Sequence, residues 1–315
     1  MLLKTLKSNR AFNFILFPLI GLLLWLKSLI YPQTYPFYLG ETDNLLYSPV
    51  HQFLGKFPFF QNLAALVLLI LMASFILQIN NRYNFLRMRT MLPAFLFILI
   101  VSGFTGLHPL HPVYFGALFL LFALFRLFSA FDQNRPYSAS FDTGFFLGIA
   151  SLFYFNLIFL FPAFFIGISI LSRETKWREV LLNFIGFLLP FIFAISYAFL
   201  TDQMLALLKI FERNVVTPNN LFKNNIPLQA YAGFLFLMIV LGSVKIIQQY
   251  DTKKVSTRKF FTVFLFLFLF SVFNFVFIPA TSQEMLVIAA IPVTFLVSNF
   301  FIFTKSRFWS EFWFS

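Results

Sequence analysis

The chain has 315 residues, 60% hydrophobic and only 11% charged, less than half the charged share of an ordinary soluble domain, about 25%; its mean hydropathy is +0.85. A soluble globular fold is excluded, and so is nucleic-acid binding as the reason for the net charge of +12, because the basic residues lie in short clusters between apolar segments. The absence of cysteine removes disulfides, thiolate metal sites and cysteine nucleophiles.

A helix needs about 20 mainly apolar residues to cross a bilayer. That criterion predicts an all-α transmembrane bundle, residues 1–315 forming one integral membrane domain, with segments at 11–31, 60–79, 90–106, 113–130, 143–156, 158–172, 181–200, 229–249, 260–278 and 285–304. The first follows Lys4, Lys7 and Arg10, is too long for a signal-peptide core and lacks a small-residue cleavage site after it, so it reads as a retained helix. With ten spans, only Lys27, Lys56, Lys209, Arg213 and Lys223 of the 23 Lys and Arg fall on one side. The positive-inside rule then places both termini in the cytoplasm. The 53 Phe residues read as lipid-facing and core filler.

The first outer, periplasmic loop, 32–59, holds Glu41 and Asp43 close to Tyr47 and His51. Two carboxylates one residue apart could share a divalent cation, or one could act as general base while the other orients an acceptor hydroxyl. Asp43 could equally cap a short helix starting at Asn44. His108 and His111 lie in a short His-Pro-Leu-His-Pro loop; with His51 they could ligate a metal or contact a substrate, or the loop could be only a rigid connection.

Segment 143–156 is short for a span, and Asn156 followed by Pro162 predicts a tight reversal packed centrally, with Gly144 and Gly148 admitting close helix approach. Asp142 reads as a helix-start residue. The second outer loop, 201–228, carries a helical pattern in which Met204, Leu207 and Phe211 form an apolar face beside Lys209 and Arg213, as in an interfacial helix. Gln283 and Glu284 read first as a solvated turn, where a polar pair could also complete a site. No Gly-rich nucleotide loop is present, which argues against an ATP-driven role. A transporter is disfavoured because the predicted span interiors hold almost no ionisable groups.

The order of basic N-terminus, one span, acidic outer loop and many spans with a short central pair resembles the GT-C superfamily, membrane glycosyltransferases that use polyprenyl-phosphate-linked sugars. The segment Glu41-Thr42-Asp43-Asn44-Leu45-Leu46-Tyr47 is similar to that family's acidic-plus-Tyr loop. Phe145 to Leu152, with Leu160-Phe161-Pro162-Ala163, resembles its fifth and sixth segments, and Met285 to Pro292 its last core span. The chain is also similar to Phe-rich ten-span membrane proteins of Bacteroidota.

The GT-C resemblance implies that Asp43, or failing it Glu41, is the general base, that Tyr47 and His51 position the acceptor, and that Arg213 or Lys56 meets the donor phosphate. It also implies a polyprenyl-phosphate lipid as partner, its tail beside the short fifth and sixth helices. Where that family carries a basic residue before the last span, this chain has Gln283 and Glu284. The alternative is a non-catalytic subunit of a larger inner-membrane complex, for assembly, secretion or scaffolding, which binds membrane-protein partners on a degenerate GT-C-like fold.

Overall fold

A computed structural model describes residues 12–38, 40–86, 90–173, 177–219, 221–248 and 253–304. Among these there are twelve α-helices and no strand: α1 (Phe12–Ile30), α2 (Ser48–Leu54), α3 (Pro58–Tyr83), α4 (Leu92–Ser102), α5 (Pro112–Ser129), α6 (Tyr137–Phe153), α7 (Phe161–Leu171), α8 (Trp177–Leu200), α9 (Met204–Val216), α10 (Ile226–Gln248), α11 (Val255–Phe277) and α12 (Met285–Phe303). Six of them, α3, α5, α8, α10, α11 and α12, are long and apolar enough to cross a membrane. Large apolar side chains remain exposed on their outer surfaces, including Phe193, Phe199, Leu269 and Phe277, the surface that lipid covers. The chain is a multi-pass helical membrane protein.

Each of the ten apolar segments is helical, with shifted ends. The segment expected at 143–156 begins at Tyr137, because its polar first turns are satisfied by neighbours and do not unwind. Arg126 of α5 bonds Ser138 Oγ at 3.0 Å and pairs with Asp142, and Asn183 Nδ2 of α8 donates to Ser140 O at 3.0 Å. Asp142 is therefore a mid-helix ion-pair partner and does not start the helix. The segment expected at 90–106 keeps only 11 helical residues and ends in a 3₁₀ turn at Thr105–Leu107. The predicted reversal at Asn156 is a 3₁₀ stretch, Phe155–Leu160, which leads directly into α7.

Three glycines set how α6 and α8 meet. A Cβ on Gly144 would strike the Asn183 carbonyl, one on Gly186 the Phe141 carbonyl, and one on Gly148 would lie 2.6 Å from Phe187 O. The two helices thus touch backbone to backbone, the approach that small residues permit in membranes. Elsewhere the core is aromatic: Phe264 stacks on Phe295 at 4.4 Å, and Phe85 meets Phe260 and Phe295 at 5.0 and 5.1 Å. α12 is buried along most of its length and packs against α4, α10 and α11. Its first residue follows Glu284, so this central helix delivers a carboxylate to one end of the bundle.

Candidate functional site

At that end the chain after α1 folds back over the helices, burying Tyr35, Glu41, Asn44 and Tyr47. Gly40 has φ +102°, a conformation that glycine alone adopts without strain, and a Cβ there would lie 2.8 Å from Arg213 Cβ. The next residue, Glu41, points inward. Tyr38 N donates to its Oε2 at 3.4 Å, and Asn44 Nδ2 donates to its carbonyl at 3.0 Å.

Opposite Glu41 stands His111. Pro112 restricts the residue before it to extended backbone, and His111 has φ −126° and ψ 149°, which makes it the residue that caps α5. Its Nδ1 accepts the Val113 N–H at 3.0 Å. A ring whose Nδ1 accepts carries its proton on Nε2 when neutral, and Nε2 is the atom hydrogen-bonded to Glu41 Oε1. The third member, Glu284, receives three donors: Tyr35 Oη and Tyr154 Oη at 3.0 Å each, and Ser282 N at 2.7 Å. One ligand-type atom from each of Glu41, His111 and Glu284 lies within 4.8 Å of the others, and none of the three residues is more than 2% exposed.

Burial pushes the carboxyl pKa of Glu41 up; Glu284 is raised by burial and then by the Glu41 charge beside it. His111 is lowered to about 4 by loss of solvent, against an opposing pull from Glu284. The centre therefore pairs an imidazole that burial keeps neutral with two carboxyls whose ionisation burial opposes.

Two carboxylates and an imidazole form a donor set that a divalent cation could use. The His111 ring does not fit that use: its Nδ1 lone pair is taken by Val113 N–H, so a metal on Nε2 would require an imidazolate or a broken helix cap. The arrangement is suited to holding and moving a proton.

A polar shell surrounds the centre. Asn156 Nδ2 approaches Tyr154 Oη at 3.4 Å, and Asn274 Nδ2 donates to the Asn156 carbonyl at 2.7 Å. Asn214 of α9 donates to Gly40 O at 3.1 Å and accepts from Tyr38 Oη at 3.4 Å, so α9 is latched to the loop that carries Glu41. The rings of Tyr35, Phe37 and Tyr154 lie against His111, with centroids at 4.6, 5.9 and 5.6 Å.

Of the residues singled out in the sequence, Glu41, His111 and Glu284 meet here. Tyr47 braces the His-Pro loop through Leu110 O at 3.3 Å, and His51 packs edge-on against Phe37. Asp43 is exposed, touched by Thr42 Oγ1 at 3.4 Å; it neither pairs with Glu41 nor caps a helix, since α2 starts only at Ser48. Lys56 and Arg213 are exposed. His108 is held apart by Trp25 and Ser28, so the three histidines form no common site. Gln283 and Glu284 are buried, which overturns the solvated turn expected there. Tyr35, Tyr38, Tyr154 and Asn214 had no local signal; for Glu284 the signal was a carboxylate next to an apolar helix.

The sequence matches one family profile over residues 45–314. The chain belongs to DUF6427, a family of unknown function. No curated protein and no solved structure matches it. The DUF6427 region takes in His111, Tyr154, Asn214 and Glu284, while Tyr35 and Glu41 lie ahead of its first matched residue.

Proposed function

We propose that this DUF6427 protein is a GT-C-like glycosyltransferase of a bacterial inner membrane, moving a sugar from a polyprenyl-phosphate donor to an acceptor at the periplasmic face. The observation that carries the reading is Glu41, a buried carboxylate held by a neutral imidazole whose proton position is fixed by Val113. A carboxyl whose pKa is raised by burial suits a general base. Glu41 takes the acceptor hydroxyl proton as the acceptor oxygen bonds the anomeric carbon, and the bond from that carbon to the phosphate oxygen breaks to release polyprenyl phosphate. His111 orients Glu41, and Glu284 keeps its own position through three donors. The distribution of basic residues supports ten spans with both termini in the cytoplasm and the Glu41 end outside.

The second reading, a non-catalytic subunit of an inner-membrane complex, is favoured by the closure of the centre, where no member is more than 2% exposed. One experiment separates the two. Membranes from cells carrying Glu41→Gln should accumulate a polyprenyl-phosphate-linked sugar seen by lipid mass spectrometry, whereas Asp43→Asn should match wild type. An unchanged lipid profile in Glu41→Gln, with stoichiometric protein partners copurifying in mild detergent, would reject the transferase and establish the subunit.

A further inference from the structure

A polar cavity lies beside the His-Pro loop, at the C-terminal end of α1. Its volume is about 130 Å³, and Lys27, Ser28, Tyr31, Asn62, Thr105 and His108 are among its walls. That is room for on the order of four waters at liquid density. Among the described residues no carboxylate lines it, and Lys27 is the one charged residue in its wall.

The wall is rigidly built. His108 stacks on Trp25 with centroids 4.2 Å apart and planes 11° apart. Its Nε2 lies 3.2 Å from Ser102 O, and a carbonyl only accepts, so Nε2 carries the ring proton. Nδ1 must then accept from Ser28 Oγ at 2.6 Å. Trp25 Nε1 donates to Ser102 Oγ at 2.8 Å, and Asn62 Nδ2 to Ser28 O at 2.8 Å. A neutral ring held at both nitrogens cannot balance a bound cation, whereas the Lys27 ammonium and the Thr105 hydroxyl are donors free to meet an anion.

The surroundings say what kind of anion. Leu19, Leu23, Leu26 and Ile30 are spaced along one face of α1 and are 51, 58, 45 and 60% exposed. Lys27, four residues after Leu23, lies on that same face, so an apolar stripe runs along the helix up to the cation at the cavity mouth. A phosphate with hydrocarbon chains matches both parts, the chains on the stripe and the headgroup on Lys27.

We infer that the cavity at Lys27 and Thr105 binds the phosphate of a membrane lipid whose acyl chains lie along the exposed face of α1. This site is separate from the Glu41 centre and does not rest on the transferase reading.

The test is native mass spectrometry of the full-length protein released from detergent, with dioleoyl phosphatidylglycerol and dioleoylglycerol as probes. The wild type should retain the phosphatidylglycerol and not the diacylglycerol. Lys27→Gln, at an exposed position, should fold normally and hold about fivefold less phosphatidylglycerol, the loss of one lysine–headgroup contact, and Thr105→Val should also weaken retention. Equal retention of the two lipids by wild type, or of phosphatidylglycerol by wild type and Lys27→Gln, would overturn the assignment. Inorganic phosphate tests the other source: if it raises the thermal midpoint of the delipidated protein as much as phosphatidylglycerol does, the site takes free phosphate and the lipid assignment falls.

Discussion

Replacing Glu41 by Ala or by Gln separates what its shape does from what its charge does. Both variants remove the negative charge facing Glu284, so any relief of that repulsion is common to the two and cancels between them. Gln keeps an oxygen for His111 Nε2–H and fills the same space. Ala leaves that donor buried without a partner, at about 1–3 kcal/mol, and also loses a buried methylene, at about 0.8 kcal/mol. Glu41→Ala should therefore be about 2–4 kcal/mol less stable than Glu41→Gln. Reversible unfolding in mixed micelles, followed by tryptophan fluorescence, measures the difference. If the two variants unfold together, the His111–Glu41 contact is not a formed hydrogen bond, and the proposed base loses its orienting partner.

Removing the α9 latch with Asn214→Ala leaves Gly40 O and Tyr38 Oη without their partner; hydrogen exchange across Met204–Val216 should rise in proportion to about 1–3 kcal/mol of lost local stability, and unchanged protection would mean that α9 is held by other contacts. For His111 the pH dependence has a definite sign. Its folded pKa, about 4, is below the ordinary 6.5, so the unfolded chain binds the proton first and stability is lost as pH falls from 6.5 to about 4. His111→Gln should flatten that limb of the thermal midpoint against pH, while the raised Glu284 acts in the opposite sense, costing stability as pH rises above 4.5; equal slopes in wild type and variant would contradict a buried neutral ring. Gly144→Val drives a side chain into the Asn183 carbonyl and should cost at least about 1–3 kcal/mol, read as a lower detergent melting midpoint; a tolerated substitution would disprove backbone contact between α6 and α8.

The helices were legible because apolar run length reports membrane burial directly, and all ten runs recur as helices. Gly144 and Gly148 were legible for a related reason: small residues within an apolar helix have few other uses. The polar start of α6 was not, because Ser138, Ser140 and Asp142 look like loop residues until Arg126 and Asn183 are placed beside them. The centre was half legible. Proximity in sequence suggested pairing Glu41 with Asp43, but the loop turns Glu41 inward and leaves Asp43 exposed, and Glu41's carboxylate neighbour is Glu284, brought in by the last described helix. Nothing local marks that meeting.

The backbone contact between α6 and α8 divides the centre into a fixed and a movable half. Tyr154 directly follows α6, so its hydroxyl inherits the rigidity of a helix pair that cannot slide without its carbonyls colliding, and Glu284 stands at the start of α12, a helix buried along most of its length. Glu41 has no such anchorage; it rides on a loop pinned by Asn44, by the α9 latch and by His111. Opening the centre to a substrate therefore means withdrawing Glu41 from partners that stay where they are. On the transferase reading, the proton acceptor is then the part that travels, and the rest of the centre is a socket prepared for it.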